Sequence, residues 1–394
     1  MRIKREDLRN TINKAIILLF FFVILFIKSQ NKVSYQGAVF VKYLSGEKAV
    51  ILLFVGMIGL LFALMTKFSG KENMNSISAL LLLRFLFFII INTIITTFSL
   101  VNTEFQPGIV LAYLLSFSFF NIGVSSNNKK YTAHICGFSI IIITIQLLLT
   151  YIGRNLTYTE AMKWWMVIPI GQTNAIGCYI IGMLLYFNSV IENKKNKIII
   201  SIFALIGIIL TYSRSGLLMY LLFIMYIAFN DLRKNNRKGK IRIILIIIMM
   251  LCFFGMLYIN NASFFDRFTI NNLSGSRLKV YYEGFKLLSQ HLLIGIGAYS
   301  YHIYDAYKAH NWILETLIQN GIVCSFLYFL IISKVIKKVK KISPELTVFI
   351  IFYLIHGLVE PNLYTATTDS FFWLLVGTCM YEKKKEQKEL KNNE

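Results

Sequence analysis

The chain has 394 residues, of which 56% are hydrophobic and 15% aromatic, and it carries a formal net charge of +22. Such apolarity along the whole length excludes an ordinary soluble domain and a single membrane anchor, and it predicts many membrane spans. The basic residues occur in short clusters between apolar runs, which is typical of the cytoplasmic loops of a multi-pass protein and leaves no basic domain to bind nucleic acid.

Apolar runs close to the length of a membrane-spanning helix recur throughout the chain. We predict an all-α fold with about twelve transmembrane helices in a single membrane domain over residues 1–394. The first run follows a basic start and no small-residue cleavage pattern comes after it, so we interpret it as a retained span. The predicted spans are 14–28, 48–66, 78–100, 108–125, 131–152, 167–188, 197–212, 215–230, 242–259, 312–333, 346–360 and 368–381.

Placing both termini in the cytoplasm puts most Lys and Arg on the cytoplasmic side, as the positive-inside rule requires. This orientation makes 260–311 a large extracytoplasmic loop and 382–394 a charged cytoplasmic tail. Apolar residues within 278–288 recur at steps of three and four, which predicts an amphipathic helix across the outer ends of the spans. Gly295 and Gly297 interrupt the segment that follows this helix.

Arg214 stands between Ser213 and Ser215 in a polar interruption at the outer end of two predicted spans. A lone Arg at a helix end is often a snorkelling anchor. In a tight turn flanked by hydroxyl groups, a guanidinium group also suits an anion, because it binds phosphate in a fork and keeps its charge. The three residues are therefore a candidate anion site.

Two further arginines lie in predicted external loops. Arg277 follows Ser274-Gly275-Ser276 at the predicted N-terminal end of the amphipathic helix, where a helix favours phosphate, although a solvated loop charge also explains it. Arg154 opens another loop and is a candidate contact for a lipid headgroup, while the neighbouring tryptophans also fit an interfacial aromatic belt.

His310 lies at the entrance of the span predicted at 312–333. A histidine there is either a packing residue or a proton-transfer group, since its side chain is the one best suited to moving protons near neutral pH. Asn311 is a suitable helix cap. Asn311 and Glu315 are four residues apart on one helix face, and both are candidates to contact substrate or to orient a neighbour.

Other polar residues in the predicted spans can be interpreted either as structural or as functional residues. Asn174 is expected to form hydrogen bonds between helices. His356 and Glu360 are four residues apart near the outer end of a span, and intramembrane ionisable residues are functional candidates by default. Arg84 lies within a span and is expected to snorkel towards the cytoplasm.

Common catalytic motifs are absent from the sequence. It has no ATPase-type phosphate loop, no metal-ligand cluster and no nucleophile elbow, and its five cysteines are far apart in apolar runs. We therefore expect an enzyme that works without ATP, metal or another cofactor.

Three features, in this order, resemble the bacterial O-antigen polymerase and O-antigen ligase superfamily of polytopic glycosyltransferases, which implies a GT-C-like fold. The resemblance covers about 200 to 370, and the Tyr-rich segment after Arg277 departs from relatives that often carry Trp there. The features are Ser213-Arg214-Ser215-Gly216, Ser276-Arg277 followed by Leu293-Ile294-Gly295-Ile296-Gly297-Ala298-Tyr299, and Ala309-His310-Asn311-Trp312-Ile313-Leu314-Glu315 with Gly321 after it.

The resemblance implies an undecaprenyl-diphosphate-linked oligosaccharide as donor, on the outer face of the plasma membrane. Arg214 and Arg277 would hold the diphosphate, and His310 would act on the acceptor hydroxyl. Because this leaving group is already activated, neither ATP nor a metal is required. Membrane lipids, a flippase and a chain-length regulator are the implied partners.

The acceptor remains open, since a polymerase and a ligase use one donor type and differ in what receives the glycan. Richness in Ile, Lys and Asn is typical of an AT-rich genome, and many such bacteria lack lipid A. This favours a repeat-unit polymerase for capsule or exopolysaccharide over transfer to a lipid or protein. A flippase is the non-enzymatic alternative, but a transporter places polar groups at the membrane midplane, and here they gather at one surface.

Overall fold

The structure, a computed structural model, describes residues 2–27, 30–35, 38–43, 46–70, 76–97, 107–125, 127–153, 167–171, 173–211, 213–233, 270–297, 309–360 and 366–381. Two strands, β1 (Gln30–Tyr35) and β2 (Ala38–Tyr43), follow the first helix. The helices are α1 (Arg2–Phe26), α2 (Gly46–Gly70), α3 (Ser76–Thr97), α4 (Pro107–Val124), α5 (Lys129–Gly153), α6 (Thr173–Val190), α7 (Lys194–Thr211), α8 (Arg214–Arg233), α9 (Ile270–Gln290), α10 (Trp312–Ile342), α11 (Pro344–His356) and α12 (Ala366–Cys379).

Each predicted span other than 242–259 overlaps a helix, and 242–259 lies outside the described residues. At 167–171 the chain forms a turn closed by an Ile168–Gly171 bridge instead of the predicted helix. Within the described part, four helical segments are long and apolar enough to cross a membrane, namely Asp7–Phe26, Ser76–Ile94, Lys129–Gly153 and Thr173–Val190. Shorter apolar helical segments accompany them at Val50–Leu61, Tyr113–Val124, Arg214–Phe229 and Pro344–His356. The protein is therefore a multi-pass membrane protein, and the count of twelve spans stays a prediction.

A small hairpin departs from the all-α prediction. Strands β1 and β2 pair antiparallel, with Gln30 opposite Tyr43 and Tyr35 opposite Ala38. The two segments are rich in β-branched and aromatic residues, which fit a pleated surface better than a helix. Hydropathy does not predict this hairpin. It identifies the apolar runs on either side and carries no information on the pairing of the short segments between them.

The centre of the bundle lies where α4 crosses α12. Residues 368–380 are all buried, so α12 is enclosed on every side. A β-carbon on Gly377 would lie 2.4 Å from the Phe120 carbonyl oxygen, and one on Gly123 would lie 2.6 Å from the Leu374 carbonyl oxygen. Small residues at such crossings let helix backbones approach closely in membranes.

Helix α9 confirms the predicted amphipathic helix and begins earlier, at Ile270. One face packs on α10, where a β-carbon on Gly284 would lie 3.0 Å from the Ile318 side chain. The opposite face exposes Tyr282 and Phe285. Its position across the outer ends of the spans stays a prediction.

Helix α10 is not straight, because the chain folds back on itself at Gly321, where φ is 64° and ψ is −179°. The ring of Trp312 lies 5.9 Å from that of Tyr328, although a straight helix would separate these residues by about 24 Å. The single span predicted at 312–333 is therefore wrong. Residues 312–320 form a short arm that packs against a long arm, 322–342.

The 291–297 loop crosses α10 at the Gly321 break, and it supplies hydrogen bonds in place of the helical ones that are lost there. A β-carbon on Gly321 would lie 2.2 Å from the Leu293 carbonyl oxygen, and one on Gly295 would lie 2.5 Å from the Gly321 nitrogen. Both glycines also have positive φ, which other residues adopt at a cost. The bonds run from Ile296 N to Ile318 O (2.9 Å), Gly297 N to Gln319 O (3.1 Å) and Ile322 N to Leu292 O (2.9 Å).

Candidate functional site

The first turn of α8 is shaped by hydroxyl groups. Gly216 N donates to Ser213 Oγ (3.1 Å), which is the pattern of a helix N-cap, and Ser213 Oγ lies 3.1 Å from Ser215 Oγ. A β-carbon on Gly177 of α6 would lie 3.1 Å from Ser213 Oγ, so the turn packs tightly on α6. Arg214 is half-buried in this turn, between the two serines that the sequence singled out.

A buried carboxylate joins this turn to α6. Glu360 is 2% exposed and follows the end of α11. Its Oε1 accepts from Ser215 Oγ (3.2 Å), and its Oε2 accepts from Asn174 Nδ2 (3.0 Å). Because a buried charge needs such donors to replace water, both hydrogen bonds stabilise the carboxylate in place.

His310 completes the cluster. Its Nδ1 lies 3.8 Å from Glu360 Oε2, while 43% of its side chain is exposed. Among the described residues, His310 is the one non-glycine residue with positive φ, at 51°. Backbone strain of this kind persists only where surrounding structure enforces it, and it is frequent at functional sites.

Asn311 confirms the predicted cap of α10. Its Oδ1 accepts from Ile313 N (3.0 Å) and Leu314 N (3.2 Å). Glu315 points into the bundle instead, because it is fully buried and accepts from Gln319 Nε2 (2.8 Å). Asn311 therefore borders the exposed imidazole, whereas Glu315 is placed to support the short arm from inside. Their roles towards a substrate stay predictions.

Three helix N-termini converge on the Glu360 carboxylate. Asn174 lies in the first turn of α6, Ser215 lies in the first turn of α8, and His310 directly precedes the cap of α10. Each helix start carries about half a positive charge from the helix dipole. The arrangement therefore stabilises a buried anion and favours a second anion at the exposed side of the cluster.

The structure gives less information on two of the predicted site residues, Arg277 and Arg154. Arg277 lies in α9, seven residues after the helix begins at Ile270, so it is not at the helix N-terminus and the argument from that terminus is corrected. Arg154 lies outside the described residues. Arg277 and Arg154 therefore stay predictions based on sequence.

Arg84 corrects a different prediction. Arg84 does not snorkel to the surface: it is buried, with 3% of its surface exposed. Its guanidinium carbon lies 4.3 Å from the centre of the Tyr113 ring and 3.6 Å from that of Tyr328. Two aromatic faces hold the cation inside the bundle by cation–π attraction, which is stronger away from water.

His291 and four cysteines are other candidate groups among the described residues. Burial lowers the pKa of His291 in the 291–297 loop, which favours its neutral form. Cys136, Cys178, Cys324 and Cys379 are free and buried, in keeping with the apolar runs in which they occur. In the part of the chain that the structure describes, no three His, Cys, Asp or Glu residues are grouped to hold a metal ion.

Glu360 and Asn174 are the residues whose connection to His310 the sequence does not reveal. The sequence marks both as polar residues of predicted spans, and no pattern in it links either one to His310. The one feature of the sequence that relates these residues to His310 is their shared location at predicted outer helix ends. No spacing rule links residues on three separate helices.

Residues 199–329 match a family model described as O-antigen ligase. The matched region runs from α7 into α10 and contains Arg214, Arg277 and His310, whereas Asn174 and Glu360 lie outside it. Among curated proteins, no match was found. The family match confirms the resemblance to the O-antigen polymerase and ligase superfamily that the three ordered motifs predicted.

Proposed function

We propose that this protein, whose residues 199–329 match the O-antigen ligase family, is a membrane glycosyltransferase that polymerises polyprenyl-diphosphate-linked oligosaccharide repeat units. The observation that carries the proposal is the meeting of His310 with the buried Glu360 carboxylate beside the Ser213-Arg214-Ser215-Gly216 turn. This cluster combines a proton acceptor, an orienting carboxylate and an anion-binding cation.

The donor diphosphate fits the cationic side of the cluster. Arg214 offers a guanidinium fork, and the starts of α6, α8 and α10 add partial positive charge around it. Arg277, on the α9 that packs against the short arm, is proposed as the second diphosphate ligand. Charge that develops on the departing diphosphate is stabilised by these groups, which is where electrostatic catalysis contributes most.

The acceptor hydroxyl fits the exposed imidazole of His310. Because Nδ1 faces Glu360, Nε2 is the nitrogen that takes the hydroxyl proton. The acceptor oxygen then bonds to the sugar C1, the bond from C1 to the phosphate oxygen breaks, and its electron pair leaves with the diphosphate. Glu360 orients the ring and stabilises the imidazolium that forms, in the manner of the carboxylate in other base–carboxylate pairs.

A second candidate function is transfer of the glycan to a lipid or protein acceptor. The description of the matched family as O-antigen ligase favours it. Composition favours the polymerase, as argued above. The donor half of the mechanism is common to both, so the acceptor distinguishes them.

The cellular setting belongs to the same proposal. We place the protein in the plasma membrane with both termini in the cytoplasm and the cluster on the outer face, because the positive-inside rule favours this orientation. A flippase would then deliver the donor to that face, and a chain-length regulator would act on the product.

The test is polymerisation by the purified protein in lipid vesicles loaded with polyprenyl-diphosphate-linked repeat units. Ladders on a gel report polymer, and added lipid A core or protein reports ligation. The proposal expects His310→Ala to lose at least about a hundredfold in rate, the usual contribution of a general base. His134→Ala is the matched control, since His134 is an exposed residue near the start of α5, a helix that carries none of the cluster residues. Normal polymer from the His310 variant would refute the proposal.

A further inference from the structure

The buried residues around Arg84 pack against α10, which begins two residues after His310 of the proposed catalytic pair. His310 precedes the short arm of α10, and Glu360 follows α11. Their side chains approach to 3.8 Å, beyond hydrogen-bond distance. A small movement of the short arm relative to α11 therefore decides whether the two groups bond. The contacts that hold this arm are the ones that set the geometry.

Trp312 is the direct tie between the two elements. Its main-chain N–H donates to the Gly357 carbonyl oxygen (2.9 Å), and its indole Nε1 donates to the Leu354 carbonyl oxygen (3.0 Å). Trp312 is two residues from His310, and Gly357 is three residues from Glu360. Both hydrogen bonds therefore fasten the start of the short arm to the end of α11 directly behind the pair.

Arg84 supports Trp312 from the bundle interior. The Tyr328 ring that covers one face of the Arg84 guanidinium also packs edge-on against the Trp312 ring at 5.9 Å. Asp369, at the first turn of α12, interacts electrostatically with Arg84 and accepts a hydrogen bond from Ser116. The buried cation is thus balanced by a carboxylate and two aromatic faces, as an intramembrane charge requires.

The far end of the short arm is held by the same centre. The Tyr113 ring also contacts the Arg84 guanidinium, and Asn320 Nδ2 donates to Tyr113 Oη (3.1 Å). Asn320 directly precedes the fold at Gly321. Arg84 is therefore linked through Tyr328 to the start of the arm and through Tyr113 to its end.

We infer that Arg84, Tyr113 and Trp312 are positioning residues for the transfer reaction, which set the distance between His310 and Glu360 without touching substrate. This inference rests on the proposed function. Each of the three contacts spans different helices, so a local change at any of them moves the short arm against α11. The consequence is a loss in the catalytic step with little change in donor binding.

Conservative variants test this in the vesicle assay. Trp312→Phe removes the indole N–H and keeps an aromatic ring against Tyr328, and Tyr113→Phe removes one hydroxyl while keeping the ring against Arg84. We expect each to lower kcat about tenfold and to leave the donor KM within about twofold, as for a lost interaction that acts in the transition state alone. Thermal unfolding in detergent checks that both variants fold.

Tyr186→Phe is the matched control for a purely structural loss. Tyr186 is fully buried, and its hydroxyl lies 2.6 Å from Thr378 Oγ1, away from the cluster. We expect it to lower thermal stability about as much as Tyr113→Phe does, with unchanged kcat. An equal fall in kcat for the control would overturn the inference, because any buried hydroxyl would then have the same effect.

A double-mutant cycle separates positioning from general loss of structure. If Trp312 acts by holding the pair together, adding Trp312→Phe to Glu360→Gln lowers kcat by less than twofold further. A full tenfold loss on top of Glu360→Gln refutes the positioning role and leaves the proposed function standing. Full activity of Glu360→Gln itself counts against the catalytic pair and hence against the proposed mechanism.

Discussion

The interaction between Glu360 and His310 gives the sharpest prediction, through the substitution Glu360→Gln. Glutamine keeps the size of the side chain, and its carbonyl oxygen still accepts from Asn174 or Ser215. The fold of the cluster is therefore largely retained. The substitution removes the negative charge that faces the imidazole, and with it the stabilisation of the imidazolium.

The expected magnitude follows from the distance. Two unit charges 3.8 Å apart interact by about 4 kcal/mol at an effective dielectric constant of roughly 20. The His310 side chain is 43% exposed, and its charge is only partly developed in the transition state, so we expect about half of this value. A loss of about 2 kcal/mol corresponds to a fall in kcat of roughly thirtyfold.

The assay is polymerisation in vesicles at saturating donor, with kcat taken from the rate of glycosidic bond formation. Glu283→Gln is the matched control, because Glu283 Oε1 lies 3.9 Å from Lys279 Nζ on the exposed side of α9, where an ion pair contributes little. We expect the control to keep wild-type kcat. The reasoning is refuted if Glu360→Gln stays within about twofold of wild type at equal thermal stability, or if both variants lose activity alike.

Three further predictions address the fold and the donor. Gly321→Ala should lower the free energy of unfolding by about 3 kcal/mol or more, since the new β-carbon meets the Leu293 carbonyl oxygen at 2.2 Å and φ is positive. Gly153→Ala should leave the free energy of unfolding unchanged, because its new β-carbon meets no atom within 4 Å. Equal thermal unfolding of the two variants would contradict the tight contact between Gly321 and the 291–297 loop. Asn311→Ala should cost about 1 kcal/mol of stability and Asn311→Asp much less, because aspartate still caps α10; identical melting of the two would argue against the cap. Arg214→Lys keeps the charge and loses the fork, so the donor KM should rise about tenfold with a smaller change in kcat, and an unchanged KM in the vesicle assay would remove Arg214 from the donor site.

Hydropathy was sufficient to find the helices, because a segment that contacts lipid must be apolar along its length. It was insufficient for α10. The predicted span there is continuous in composition, and the fold at Gly321 is possible because the 291–297 loop supplies the missing hydrogen bonds. Those donors and acceptors are backbone groups, which every sequence offers, so the contact leaves no mark beyond the glycines.

The candidate site was predictable to the extent that its residues are rare in their surroundings. Arg214 and His310 were found because a cation and an imidazole stand out beside apolar runs. The partnership of His310 with Glu360 was missed because it joins the start of α10 to the end of α11, and no local pattern encodes that contact. The prediction that Arg84 snorkels fails for a related reason, since its two aromatic partners lie on other helices.

The junction at Gly295 and Gly321 also defines where this protein can be re-engineered. Ile296 and Ala309 pack in one buried cluster, so any segment that joins Gly297 to Ala309 starts and ends at neighbouring fixed points. The entropy of closing such a connection grows slowly, by about 0.6 kcal/mol for each doubling of its length. Replacement of this connection, which leads directly to His310, is therefore expected to leave the bundle beneath intact.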